Sequence, residues 1–458
     1  MIKVNAVFDI GKTNKKFFLF DEEYNEVYRD YVNLPLTVDE DGFETEDLEA
    51  LRAWIKDTFD AILEKPEYDV KTLNFSSYGA SLVHLDYKGK PLTPLYNYIK
   101  DIPEEILEEF YSQYGDALGI GAETASPQSG MLNSGLQIYW IKKTKPEIFS
   151  QIKYSLHLPQ YLSYLFTGIP VSEYTSIGCH TNLWNYDEED YHKWVHEEGI
   201  DKILPPIVPT SASINTTYMD KKIKIGVGIH DSSSALLPYI LSKKKPFLLL
   251  STGTWSIALN PFNSERLSRE DISDNCLNYL RIDGKRVKAS RFFMGNEYRL
   301  QVEKLCEYYK KEYGYHREVE FNQEIYLSLI EKPAVYFKFE GISLQRLPKK
   351  TELEPFDTFE EAYHQLMIEL MELQVDTINR AIGNSKIKRI FIDGGFTDND
   401  VFMKLMSHHF SSFKVLSTHS PLGSALGATM VISDKQVTSQ FLKENYRMKK
   451  LVPLLFNI

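Results

Sequence analysis

The chain has 458 residues, of which 43% are hydrophobic and 13% aromatic, and its formal net charge is -12. That length exceeds one comfortable core and predicts two domains, while the apolar and aromatic content excludes extended disorder. An acidic surface disfavours attraction to nucleic acid or an anionic membrane, so a phosphate ligand has to be held by local donors and the natural partner is small.

Met1 leads straight into an apolar stretch without a basic leader, and no run of about 18 apolar residues occurs, so neither export nor membrane insertion is expected. Cys179, Cys276 and Cys306 show no CxxC or Cys/His ligand spacing. They read as reduced core residues of a cytoplasmic protein.

Residues 4–20 read as strand, tight turn, strand. The turn is Asp9, Gly11, Lys12, Thr13, Asn14, Lys15 and Lys16. A glycine among short polar residues lets the backbone bend and aim N–H groups at an anion, and a single carboxylate such as Asp9 suits magnesium, which keeps most of its waters. The plain alternative is a hairpin with exposed lysines. A helix is predicted from about Thr45, its proposed N-cap, with Leu48, Leu51, Ile55, Phe59 and Ile62 on one face. A short strand over 71–76 then runs into Tyr78 and Gly79.

Pro205, Pro206 and Pro209, followed by a polar stretch, mark the expected boundary, giving lobes 1–220 and 221–458. The second lobe opens with a strand ending at His230 and Asp231, where a helix begins. A carboxylate there can accept the proton of an attacking hydroxyl, or can simply cap the helix, and His230 reads equally well as a core histidine. A second strand, turn, strand follows over 247–259, with Ser251, Thr252, Gly253 and Thr254 offering only neutral donors. A long helix over 360–382 closes at Gly383. The strand 389–393 then runs into Gly394 and Gly395, which allow close approach of a flat base or ribose, ahead of another helix start. The small-residue run 423–428 reads as a tightly packed helix.

Two strand-turn-strand units and a strand-Gly-Gly-helix in this order resemble the actin-like ATPase superfamily. With His230-Asp231 ahead of the second turn, the chain resembles FGGY-family carbohydrate kinases. Leu132-Asn-Ser134, Gln137 to Ile141, Phe166-Thr-Gly168 and Trp194 to Pro205 are similar to family signatures. Tyr78-Gly79 with Leu82 to Asp86, Gly228 to Asp231 and Ser251 to Trp255 look most like rhamnulokinases and fuculokinases.

The resemblance implies an α/β fold of two actin-like (ribonuclease H-like) lobes with a nucleotide and sugar cleft between them. It implies ATP and Mg2+ as cofactors, a small sugar as partner, no nucleic acid or membrane, and it allows a homodimer. Position by position, Asp231 would be the general base and Asp9 the metal residue. Tyr78, Gly79 and His230 would contact the sugar. Lys12, Thr13, Asn14 and Lys16 would line the first phosphate loop, Gly253 and Thr254 the second, and Gly394, Gly395 and Asn399 the adenosine site. The first lobe would then hold the sugar, and the second the base and adenosine. A 6-deoxyketose phosphorylated at O1 is the leading acceptor, with a pentulose or polyol as alternative and a non-catalytic nucleotide switch as the reading from another class. Lys12, Gln137, Ser81 and the stretch Tyr96, Asn97, Tyr98 depart from the family pattern in the part that reads the sugar.

Overall fold

The computed structural model describes residues 1–458 apart from 13, 243–244, 342–347, 420–421, 436 and 455–458. The chain divides into two units. The first comprises Met1–Ser242, Arg266–Val287 and Leu422–Thr438, and the second Lys243–Glu265, Lys288–Pro421 and Ser439–Ile458. The boundary expected at 220/221 falls inside the first unit, at the turn between strands Ser213–Tyr218 and Lys221–Gly226. The later strand is hydrogen-bonded in parallel to Tyr68–Ser77, so a cut there would divide a sheet. With it, Asp231 belongs to the first unit.

The sheet of the first unit runs Ser213–Tyr218, Lys221–Gly226, Tyr68–Ser77, Ile2–Ile10, Lys15–Asp21, Glu26–Val32, with Ile229–His230 also paired to Tyr68–Ser77. Ile2–Ile10 is central. It is antiparallel to Lys15–Asp21 and parallel to Tyr68–Ser77, and Val4, Ala6, Val7, Phe8 and Ile10 are all buried, as expected of a strand covered on both faces. The helix Leu48–Glu64 covers one face through Leu51, Ile55, Phe59 and Ile62. Its N-cap is Asp47, whose side chain accepts from Ala50 N, rather than Thr45. Thr45 is taken by a strand, Glu44–Glu46, and its hydroxyl donates to the Leu95 carbonyl. The helix Gly423–Met430 returns to this unit and packs on Asp231–Ser242, where a Cβ at Gly427 would lie 1.9 Å from the Ser234 carbonyl oxygen.

The second unit repeats the pattern. Leu248–Thr252 is antiparallel to Ser256–Asn260 and parallel to Arg389–Gly394, which is parallel in turn to Lys414–Ser417. Residues 288–292 extend the other side antiparallel to Ser256–Asn260. The helix Phe359–Ile382 begins at a Thr358–Glu361 capping box, ends at Gly383 with φ +50°, and buries Leu366, Met367 and Leu370 in the core. Among the described residues no helix is long and apolar enough to cross a membrane. The three cysteines are buried, and none is in a disulfide.

Candidate active site

Three parallel strand ends lie side by side at one edge of the first sheet. Asp9 pairs with Ser76 and Ile10 with Ser77, while His230 pairs with Ser77 from the other side. Asp9, Tyr78, Gly79, His230 and Asp231 therefore emerge together at the carboxyl ends of the strands, where open α/β sheets bind their ligands.

Asp231 is the first residue of its helix. Its Oδ1 accepts from the Ser232 backbone N–H at 2.5 Å and the Ser232 hydroxyl at 3.2 Å, both on the next residue of the helix. The same oxygen lies 3.2 Å from His230 Nε2, and 33% of the side chain stays exposed. Burial pushes the carboxyl up to about 6, with the Ser232 bonds holding it down. Asp9, 9% exposed, accepts from the Ser424 hydroxyl at 2.9 Å. Burial also raises Asp9 to about 6, offset by Ser424 and Lys16 and increased by the Asp231 charge. These two carboxylates and Lys16 thus share one local field.

His230 is buried, which drives its imidazole down to about 3 and leaves it neutral. Its ring stacks on Tyr279 at 5.6 Å, and its Nε2 lies 3.2 Å from Cys179 Sγ. A Cβ at Gly79 would sit 2.8 Å from that sulfur and 3.3 Å from the His230 ring, so glycine is what lets the backbone pass. The buried Tyr78 ring lies 5.9 Å from Tyr98. In the turn itself, Gly11 N donates to the carbonyl of the exposed Asn14 at 2.9 Å. Lys15 is buried and donates to Glu46, and Lys12 Nζ lies 3.9 Å from Glu46. Thr13 lies outside the described residues.

The departures from the family pattern have local causes. Tyr96 is buried edge-on against Trp140 and donates to Glu40, and Asn97 Nδ2 donates to the Glu44 carbonyl at 2.9 Å. Both hold the stretch 95–100 to the loop before Glu46. Ser81 and Gln137 are buried as well, with Gln137 Nε2 3.5 Å from the Ala80 carbonyl.

In the second unit Ser251 pairs with Asp393 and Thr252 with Gly394, so the Gly253–Thr254 turn and the Gly394–Gly395 pair adjoin. Beside them is a cavity of about 800 Å³ lined by Gly253, Thr254, Gly295, Tyr298, Arg299, Gly395 and Asn399 among others. That volume suits a nucleotide-sized ligand. The turn is docked by Gly295 N donating to the Thr254 carbonyl at 3.0 Å, and a Cβ at Gly295 would lie 2.1 Å from the Gly253 oxygen. The two expected adenosine glycines differ. Gly394 has φ +100°, and a Cβ there would be 1.9 Å from the Thr252 carbonyl oxygen, so it serves the backbone and is not among the cavity residues. A Cβ at Gly395 would meet nothing within 4 Å. Asn399 lines the cavity while capping Asp400–His409 and donating to the Tyr363 hydroxyl at 2.8 Å.

The amino-terminal FGGY carbohydrate-kinase domain model matches residues 4–237, and the corresponding carboxy-terminal domain model matches 244–440. The chain belongs to the FGGY family of carbohydrate kinases. It is 26% identical over 218 residues to a rhamnulokinase of Halalkalibacterium halodurans, covering 41% of each chain. It is also 28% identical over 226 residues to a gluconokinase of Bacillus subtilis, covering 48% of this chain and 43% of that one. These matches span less than half the length of the curated relatives. Among solved structures, a carbohydrate kinase from Novosphingobium aromaticivorans superposes with TM-score 0.80 at 22% identity, over 99% of this chain and 95% of that one. A ligand-bound xylulose kinase from Lactobacillus acidophilus gives 0.78 at 16% identity, over 99% and 94%. At these identities the structures establish the fold, which is the two-lobe actin-like fold of FGGY kinases.

Several residues around these sites escape a sequence reading. Ser424 reaches Asp9 from a run that reads only as close-packed, Tyr279 and Cys179 flank His230, and Tyr298 and Arg299 line the cavity from the helix Met294–Tyr308.

Proposed function

We propose that this FGGY kinase transfers the γ-phosphoryl group of ATP to a hydroxyl of a ketose, with a 6-deoxyketose such as L-rhamnulose or L-fuculose at O1 as the leading acceptor and Asp231 as general base. One observation carries the reading: a partly open carboxylate at a strand-to-helix junction, raised to about 6 and flanked by a neutral imidazole. Such a group is ionised at neutral pH and still basic enough to take a proton. As the acceptor oxygen bonds the γ-phosphorus, its proton passes to Asp231 and the bridging P–O bond breaks, releasing ADP. Tyr78, Gly79 and His230 contact the sugar. Thr13, Asn14 and Lys16 serve the first phosphate turn, Gly253 and Thr254 the second, and Gly395 and Asn399 the adenosine, with Gly394 supporting them. The protein acts in the cytoplasm.

A magnesium ion fits this donor set through Asp9, a single buried carboxylate beside a second one, and when bound it would neutralise phosphate charge. Among the described residues no group of three or more His, Cys, Asp or Glu is disposed to hold a metal.

The similarity to rhamnulokinases supports the deoxyketose, while the gluconokinase match supports a sugar acid as second reading. ADP release measured over rhamnulose, fuculose, xylulose, ribulose, glycerol and gluconate separates them. Stimulation by rhamnulose or fuculose above the rest is expected. ATP hydrolysis that no sugar stimulates, unchanged in an Asp231 variant, would mean a nucleotide switch.

A further inference from the structure

We infer that Lys12 belongs to the acceptor pocket rather than to the phosphate turn, and that its ammonium donates to an oxygen of the bound acceptor and so helps select it. The inference rests on the kinase reading above and assigns to this side chain a role different from the one its place in the turn suggests.

The direction of the side chain is the first ground. Lys12 Nζ lies 5.5 Å from the centroid of the Tyr78 ring and 5.2 Å from that of Tyr98. Both separations are in the range of cation–π attraction. Tyr78 precedes Gly79, whose missing Cβ brings the backbone against the His230 ring, and His230 abuts Asp231. Tyr98 packs 5.9 Å from the Tyr78 ring, and its phenol is raised by burial first and then by the Asp231 charge. The two rings therefore connect the ammonium to the proposed base. Lys16 behaves otherwise: it pairs in register with Asp9 and its charge acts on that carboxylate.

The second ground is an incomplete set of partners. A lysine ammonium has three donors. Among the described residues its one ionic partner is Glu46, whose Oε2 lies 3.9 Å away, beyond hydrogen-bond length; that oxygen has no hydrogen bond of its own, while the buried Lys15 takes Oε1. Burial lowers the Lys12 ammonium's pKa, which a ligand oxygen would relieve. The cage is also built rather than incidental. Glu46 ends the strand Glu44–Glu46, which is tied to the Tyr98 segment by Thr45 on the Leu95 carbonyl and Asn97 on the Glu44 carbonyl. Reaching a nucleotide phosphate would require the ammonium to leave two aromatic faces and a carboxylate.

The test is Lys12→Met, which keeps the stem against the rings and removes charge and donors. Calorimetry measures the best sugar of the panel without nucleotide, and ATP without sugar, alongside steady-state KM values. The acceptor Kd and KM should weaken by ~10-fold or more, the scale of a lost hydrogen bond to a charged group, with ATP affinity unchanged. Retained ATP binding also reports that the variant folds. Lys12→Arg, which keeps charge but extends its reach, should alter the ranking of acceptors while leaving ATP affinity unchanged. Weaker ATP binding with an unaltered acceptor Kd would return Lys12 to the phosphates and overturn the inference, as would no change in either. A wild type that binds and phosphorylates no sugar would overturn the kinase reading itself, and the inference with it.

Discussion

The two strand-turn-strand motifs share a topology and differ in chemistry. In each, the first strand is antiparallel to its hairpin partner and parallel to a neighbour whose end adjoins the turn. The first turn carries Asp9, Lys12, Lys15 and Lys16, and each charge has a counter-charge or an aromatic face within the same unit. The second carries exposed Gly253 and Thr254 and is fixed by backbone bonds to Gly295. The difference teaches that the fold supplies the bend twice, whereas charge appears only where neighbouring strand ends can compensate it. Asp231 stands with the charged turn, immediately after the parallel strand Ile229–His230.

Asp231→Asn is the hardest test of that asymmetry. Loss of a general base lowers turnover by ~10²–10⁴-fold. ATP binding should survive, since the cavity of about 800 Å³ is built from residues of the second unit. The wild-type rate should also fall as the pH drops through about 6, because protonated Asp231 cannot accept a proton. A variant that keeps most of its turnover removes Asp231 as base, and with it the claim that the chemistry lies with the charged turn.

Within the second unit the comparison sharpens to adjacent glycines. Gly394→Ala meets the Thr252 backbone oxygen at 1.9 Å with φ +100°. Unfolding of the second unit should then become easier by ~2–4 kcal/mol, the range for backbone strain combined with a steric clash. Gly395→Ala, with nothing within 4 Å, should leave stability within ~0.5 kcal/mol and weaken ATP binding. Equal losses of stability in the two variants, measured in denaturant, would mean that both glycines serve only the backbone.

What the sequence makes legible follows from the range of the interactions involved. Both hairpins and the helix Phe359–Ile382 are readable because strand alternation, turn glycines, helical spacing and a closing glycine are local. The cap of Leu48–Glu64 lies at Asp47, two residues beyond Thr45, because Thr45 is claimed by a carbonyl fifty positions away in the chain. The boundary at 220/221 followed a proline-rich stretch, but strand pairing to Tyr68–Ser77 overrides composition. Ser424, the donor to Asp9, comes from a segment that rejoins the first unit after crossing the second. No local pattern announces such a return. The cavity wall from Met294–Tyr308 is invisible for the same reason, since it depends on where a helix docks against a turn.

The smallest effect concerns the stability of the charged turn rather than its rate. Asp9 titrates at about 6 in the folded protein, against 3.8 for an ordinary aspartate. Raised by burial, it contributes no penalty while protonated in both states, below about 3.8, and costs stability increasingly as the pH rises through about 6. Replacing the carboxylate by an amide removes that cost while keeping an oxygen for the Ser424 hydroxyl. Asp9→Asn should therefore stabilise the first unit by ~1–2 kcal/mol at pH 8, allowing for residual solvent screening, and the gain should shrink towards zero as the pH approaches 4. Unfolding of mutant and wild type compared at both pH values checks the sign. The corresponding change at the neutral turn, Thr254→Val, removes no buried charge and should show no such pH dependence. A gain at Asp9 that was the same at both pH values would show that the carboxylate is not strained by burial, and that the contrast between the two turns lies in their ligands alone.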